Sequence, residues 1–160
     1  MMRFVMDNSV VIGIILLGAL LGAGMYEAVV MVPNYAFNVP ESLDEAKRFM
    51  GAANPGNYFR IVAPLAQITL LITLILNWRG PDGRRWWLLA ALCLAVLADV
   101  VTFTFHYPRN AILFTDPMHA QPQLLATTIA EWAYGNYVRI GLLLVGMVCT
   151  IKAAMSRKSV

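Results

Sequence analysis

Hydrophobic residues in this chain fall in long blocks, without the strict alternation of strands or the narrow apolar stripe of a surface helix. Four apolar runs, at about 9–32, 57–78, 86–107 and 130–152, approach or exceed the roughly 20 residues that cross a hydrocarbon core. Backbone groups in lipid have to be satisfied within their own segment, so runs of this kind are helices. The pattern predicts an all-α fold, an integral-membrane antiparallel four-helix bundle, with residues 1–160 forming a single four-span domain. Between the second and third runs, the Gly/Pro-rich "RGPDGRR" predicts a tight turn that makes a hairpin of its neighbours. The other two connections are longer. In the first, "PESLDEAKRFM" predicts a short outer-loop helix with Ser42 as N-cap and Glu45 completing a capping box. Pro55-Gly56 ends that connection. The second begins at Pro108, and the fourth helix is expected to start near Leu124. Together the two long loops predict a lid over one end of the bundle.

Composition agrees with this reading. The chain is 59% hydrophobic and only 13% charged, with mean hydropathy +0.65; a soluble domain has about 25% charged residues. The first run continues to Val32, well past a secretory signal's apolar core, so it is expected to stay as a span. The net charge of +3 does not imply nucleic acid, because the basic residues sit at helix ends and form no patch with interleaved aromatics. Arg3, Arg79, Arg84, Arg85, Lys152, Arg157 and Lys158 share one side. The positive-inside rule then places both termini in the cytoplasm, with the chain in the bacterial inner membrane. Trp78, Trp86 and Trp87 flank the short inner loop as an aromatic belt. Cys93 and Cys149 lie inside spans and suggest neither a disulfide frame nor a metal site.

The polar positions inside the spans change the picture. Asp99, Thr102 and His106 share one face of the third helix; Thr128, Trp132, Asn136 and Arg139 share one face of the fourth. Arg60, Pro64 and Gln67 mark the second helix, and Glu27 the first. All lie in the half nearer the long loops. Asp99 and Arg139 are each expected roughly 12 Å below that end. An unpaired charge there costs at least about 2.5–3.5 kcal/mol, so the two are expected to pair. Glu27, Arg60 and Glu131 are expected nearer the surface, extending the network, with Arg109 completing the charge balance. A polar network can simply staple helices together. Convergence from all four helices favours a pocket for a small hydrophobic ligand, beside ordinary contact with membrane lipid. His106 and His119 complete no metal-ligand spacing, and Gly18-xxx-Gly22 reads as close helix packing.

Three stretches resemble a known family. "GAGMYEAVVMVPNY" (22–35), "VVTFTFHYPRNAIL" (100–113) and "EWAYGNYVRIGLLL" (131–144) are similar, in order and spacing, to the signatures of the anthrone oxygenase-like group of small four-span membrane proteins. The resemblance implies a four-helix bundle. From its fungal branch it implies oxidation of an anthrone to an anthraquinone by oxygen, with no evident metal or flavin and so no predicted cofactor. By position, Glu27, Pro108, Asn110, Trp132, Asn136 and Arg139 carry over, while Asp99 and His106 are additions read from this chain. A second stretch, residues 33–57, resembles the first outer loop of styrene oxide isomerase, a trimeric four-span enzyme. That likeness implies haem b and a homo-oligomer, with Met50 standing near the position of the haem-ligating histidine. Met50 or His106 is the candidate ligand.

The chemistry these residues suggest is proton abstraction from an acidic carbon or phenol of an apolar aromatic substrate, followed by reaction of the anion with oxygen. That requires a base, a cation and an apolar slot. His106 is the first choice as base, because Asp99 paired to Arg139 would be a poor one, and Arg139 stabilises the anion. Asn136 and Asn110 orient substrate oxygens, with Glu27 and Arg60 beside them. Tyr26, Phe103, Phe105, Trp132 and Tyr134 are the aromatic wall. The rival class is a non-enzymatic lipid- or quinone-binding protein.

Overall fold

The structure, a computed structural model, describes residues 2–79, 83–116 and 120–156; Met118, His119, Arg157 and Lys158 lie outside the described residues. The described residues form seven α-helices: α1 (Met2–Tyr26), α2 (Val32–Ala36), α3 (Glu41–Phe49), α4 (Pro55–Asn77), α5 (Arg84–Val101), α6 (Tyr107–Phe114) and α7 (Pro122–Met155). No strand occurs among the described residues. Four continuous helical stretches, Asp7–Ala36, Pro55–Asn77, Arg84–Phe114 and Pro122–Met155, are long and apolar enough to cross a membrane.

These spans form a square bundle. Span 1 packs against spans 2 and 4, and span 3 against the same two, so spans 2 and 4 lie on a diagonal. Small residues permit the close approach: Ala63 and Ala66 of α4 and Ala91, Ala95 and Ala98 of α5 are buried together with Leu17, Leu20, Leu70 and Leu143. Without a hydrophobic drive between helices in lipid, such packing supplies much of the association. The Gly18/Gly22 expectation is not met. A Cβ at Gly22 would meet nothing within 4 Å, and one at Gly18 only the Met147 sulfur at 3.8 Å.

Two spans depart from regular α-geometry at the same kind of place. Span 1 joins α1 to α2 through a π-helical segment, Glu27–Met31, and span 3 joins α5 to α6 through another, Thr102–His106. The Val32 N–H donates to the Glu27 carbonyl and the Tyr107 N–H to the Thr102 carbonyl, each five residues back. In both, proline follows one residue later, at Pro33 and Pro108. Proline lacks an N–H and crowds the carbonyl four residues before it. The widened turn admits it, so the helix runs on. Pro108 therefore does not end span 3, as the sequence suggested; the span continues to Phe114.

At one end of the bundle α4, α5 and α7 meet around Leu74, Leu88 and Ala153, and Arg84 reaches Asp7 at 3.6 Å. The other end carries the long connections, where α3 lies across α2 and α6. Leu43 anchors α3 in a second apolar cluster with Tyr35, Leu113, Leu125, Ile129 and Trp132, and Lys47 Nζ donates to the Thr115 carbonyl at 2.6 Å. The capping box at Ser42 is not formed: Pro40 is the N-cap, and the Ser42 hydroxyl donates to the Tyr35 carbonyl at 2.7 Å. The box occurs instead at α4, where Asn54 caps and Asn57 reaches back to its N–H at 3.1 Å.

Candidate functional site

The π segments sit where the polar side chains gather. Such widened turns often accompany functional positions. Here the first begins at Glu27 and the second ends at His106. Continuation of the helix past Pro33 buries Glu27, which sequence reasoning had placed near the surface. Its Oε2 accepts a short charge-assisted bond from Arg139 Nη2. The same Nη2 donates to Asn136 Oδ1 at 2.8 Å, and Asn136 Nδ2 donates to the Gly24 carbonyl at 3.1 Å. Span 1 is thus tied to span 4 through one acid, one base and one amide, all buried. The guanidinium also lies 4.5 Å from the centre of the Phe59 ring.

The expected Asp99–Arg139 pair is therefore absent. Asp99 turns to span 2, where its Oδ2 accepts from Gln67 Nε2 at 2.7 Å; that nitrogen also lies 3.4 Å from the Ala95 carbonyl. Asp99 Oδ1 has no hydrogen-bond partner among the described residues. Glu131 does not join the inner network either. It pairs with Arg109 at 2.8 Å, bracing α6 against α7, with the Arg109 guanidinium carbon 3.4 Å from the Phe105 ring centre.

His106 is 1% exposed. Its Nδ1 lies 3.4 Å from the Val101 carbonyl. A carbonyl can only accept, so in the tautomer that makes this contact Nδ1 carries the proton and Nε2 a lone pair. Nε2 is buried without a hydrogen-bond partner, as is Arg139 Nε. The imidazole meets the Trp132 ring edge-on at 4.9 Å. Trp132 Nε1 in turn donates to Asn110 Oδ1 at 2.8 Å. Gly135 makes room for the second π segment: a Cβ there would lie 2.5 Å from the Phe105 ring and 3.2 Å from His106 Cε1.

These groups surround a cavity of about 230 Å³. Its floor is Gln67 and Asp99, its apolar walls include Leu20, Phe59, Ala63, Ala98 and Leu143, and Arg139, His106 and Trp132 line it. A second chamber of about 400 Å³ lies above, under Lys47 and Met50 of the α3 region. Glu27, Gly56, Arg60, Tyr107, Asn110 and Trp132 line both and form the neck between them. Helix α4 packs along α5 but not along its outer continuation through the second π segment and α6. The lower chamber is lined there by Phe103, 59% exposed, which meets Tyr107 edge-on at 5.1 Å.

Of the residues singled out from sequence, Asp99, His106, Arg139, Glu27, Arg60, Asn110 and Trp132 meet around this space. Asn136 stands behind it and positions Arg139. Tyr26, expected in the aromatic wall, is 58% exposed and lines neither chamber, and Tyr134 also faces outward. Phe59 and Gln67 are the wall residues that the sequence reading left without a role. The two haem-ligand candidates line no chamber in common: Met50 is in the upper one, where its sulfur accepts from the Tyr35 hydroxyl at 3.7 Å, and His106 in the lower. No group of three or more His, Cys, Asp or Glu residues that could hold a metal ion occurs among the described residues.

No curated protein and no solved structure matches the chain. A family does match, over residues 7–149, a stretch that includes both π segments and every side chain lining the two chambers. By that match this four-span membrane protein belongs to the anthrone oxygenase family.

Proposed function

We propose that the protein oxidises a hydroxylated, fused-ring aromatic ketone of the anthrone type with molecular oxygen, taking the substrate from the membrane between spans 2 and 3. The observation that supports this most is the pair of unsatisfied groups on side chains that line a largely apolar cavity. Arg139 Nε–H is a donor and His106 Nε2 an acceptor. Leaving either buried and unpaired costs about 1–3 kcal/mol. A ligand with a carbonyl and a phenolic hydroxyl supplies the missing partners together.

Asp99, rather than His106, is the base in this reading. It makes no ion pair with Arg139, its Oδ2 is held by Gln67, and its Oδ1 has no partner among the described residues. Oδ1 takes one proton from the ring methylene. The electron pair left behind delocalises onto the substrate carbonyl oxygen, which Arg139 Nε–H stabilises. The carbanion reduces oxygen and forms a C–O bond, giving a peroxide. Loss of the second methylene proton and cleavage of the O–O bond leave a new carbonyl and one water. One oxygen molecule is consumed, and CH2 becomes C=O.

The test is oxygen uptake and quinone absorbance with anthrone, using protein in lipid nanodiscs. Asp99→Asn keeps an acceptor for Gln67 and removes the base. Turnover is expected to fall by about 100-fold or more, with anthrone binding within a few-fold of wild type. Wild-type protein that binds anthrone but leaves its autoxidation rate unchanged would indicate a binding protein instead. An Asp99→Asn variant that turns over normally would move the base elsewhere.

A further inference from the structure

The neck between the two chambers has a chemistry that the oxidation itself does not use. Among the described residues, the other basic groups at this end of the bundle are engaged. Arg139 is paired with Glu27, Arg109 with Glu131, Arg48 with Asp44, and Lys47 with the Thr115 carbonyl. Arg60 lines both chambers and makes neither ion pair nor hydrogen bond. Across from it, Asn110 Oδ1 is occupied by the Trp132 indole N–H, which fixes the amide so that its NH2 is the free end. Tyr107 lines both chambers as well, and its hydroxyl has no partner among the described residues. The carboxylate that lines both chambers, Glu27, is already neutralised by Arg139. One turn before Arg60, Gly56 makes room for the α4 cap: a Cβ there would lie 2.9 Å from Asn54 Oδ1, with the Arg60 guanidinium in ordinary contact at 3.6 Å.

We infer that the neck is a carboxylate receptor, and that the substrate carries an ionised carboxyl group on the edge of its ring system. This rests on the cavity being the aromatic-ketone site described above. A guanidinium offers two parallel N–H groups that match the two oxygens of a carboxylate. The amide NH2 of Asn110 and the Tyr107 hydroxyl are further donors at the same level, with no uncompensated acid beside them. Placement agrees with this role. Arg60 and Gln67 are seven residues apart on α4, or roughly 10 Å along the axis. A carboxylate bound at Arg60 would hang the ring system down the apolar slot, with its reacting carbon towards Asp99 on the floor. The receptor therefore selects the substrate and sets which ring carbon meets the base.

An exposed arginine at this position could instead hold a lipid phosphate, and one experiment separates the two. Binding of 2-naphthoate and of its neutral counterpart 2-naphthamide is measured calorimetrically on the full chain in phosphatidylcholine nanodiscs. Neither probe is oxidised, so the result stands or falls separately from the oxygenase reading. Wild type is expected to favour the naphthoate by about tenfold or more. Arg60→Gln should abolish the preference while leaving naphthamide binding unchanged, and Arg60→Lys should keep part of it. Equal affinity of wild type for the two probes overturns the receptor. So does loss of naphthoate binding in discs containing phosphatidylglycerol, if that lipid co-purifies with wild type but not with Arg60→Gln.

Discussion

Glu27 and Arg139 have side chains that are 9% and 6% exposed, and a buried pair of this kind behaves differently from a surface salt bridge. Removing one partner leaves an uncompensated charge, which costs about 3–5 kcal/mol, whereas replacing both with neutral groups costs much less. Glu27→Gln is therefore expected to lower thermal stability in detergent more than the double variant Glu27→Gln/Arg139→Gln. Equal, additive losses in a double-mutant cycle would mean that the two side chains do not depend on each other. The sequence alone pointed to a buried acid–base pair but chose the wrong acid. A helix end at Val32 puts Glu27 near the surface. With the helix running to Ala36, Glu27 lies nine residues from its outer end, or roughly 13 Å, deep enough that the cost of burial no longer singles out Asp99. What decides is which helix face each acid occupies: Glu27 meets Arg139 of span 4, and Asp99 meets Gln67 of span 2.

The π segments are the elements that sequence periodicity could not supply, since each shifts the helical register by a residue in the middle of a span. Proline breaks the regular hydrogen-bond ladder, which is why the pattern predicts that span 3 gives way to a connection at Pro108. A signal was nonetheless present: Glu27 and Thr102 each stand six residues before a proline, at the outer end of a long apolar run. The four spans were legible because apolar length is nearly independent of such local shifts, and the gathering of polar residues at one end was legible for the same reason. Contacts set by rotation were not. The packing around the second segment gives a sharp test. A Cβ at Gly135 would sit 2.5 Å from two Phe105 ring carbons, while one at Gly22 would meet nothing. Gly135→Ala is expected to cost about 1–3 kcal/mol through overpacking, and to weaken ligand binding because Phe105 and His106 must shift together. Gly22→Ala should be close to neutral by the same denaturation assay. Similar melting temperatures for the two variants would mean that the second segment yields easily.

At the scale of the whole molecule, the polar side chains that line cavities gather at one end of the bundle. The cavities, the neck and the α3 lid lie at the end carrying the long connections, while the opposite end holds the short connection and the tight turn at Gly83, whose φ is +63°. Basic residues concentrate at that opposite end: Arg79, Arg84, Arg85 and Lys152 stand there with few acids, whereas Lys47 and Arg48 share α3 with Glu41, Asp44 and Glu45. Arg85 is further held there by Trp86 and Trp78, at 5.2 and 6.0 Å from their ring centres. An excess of Lys and Arg in short loops and near span ends is retained on the cytoplasmic side. The chambers are then expected to face away from the cytoplasm, loading from the outer leaflet. Cysteine accessibility in intact cells measures this directly, once Cys93 and Cys149 are replaced. A membrane-impermeant maleimide should label Ala52→Cys, at the exposed turn after α3, in whole cells. Ser156→Cys, at the end of α7, should react only after the membrane is opened. The opposite pattern would turn the bundle over and bring the substrate from the cytoplasmic leaflet, with the same cavity geometry but a different membrane face as its source.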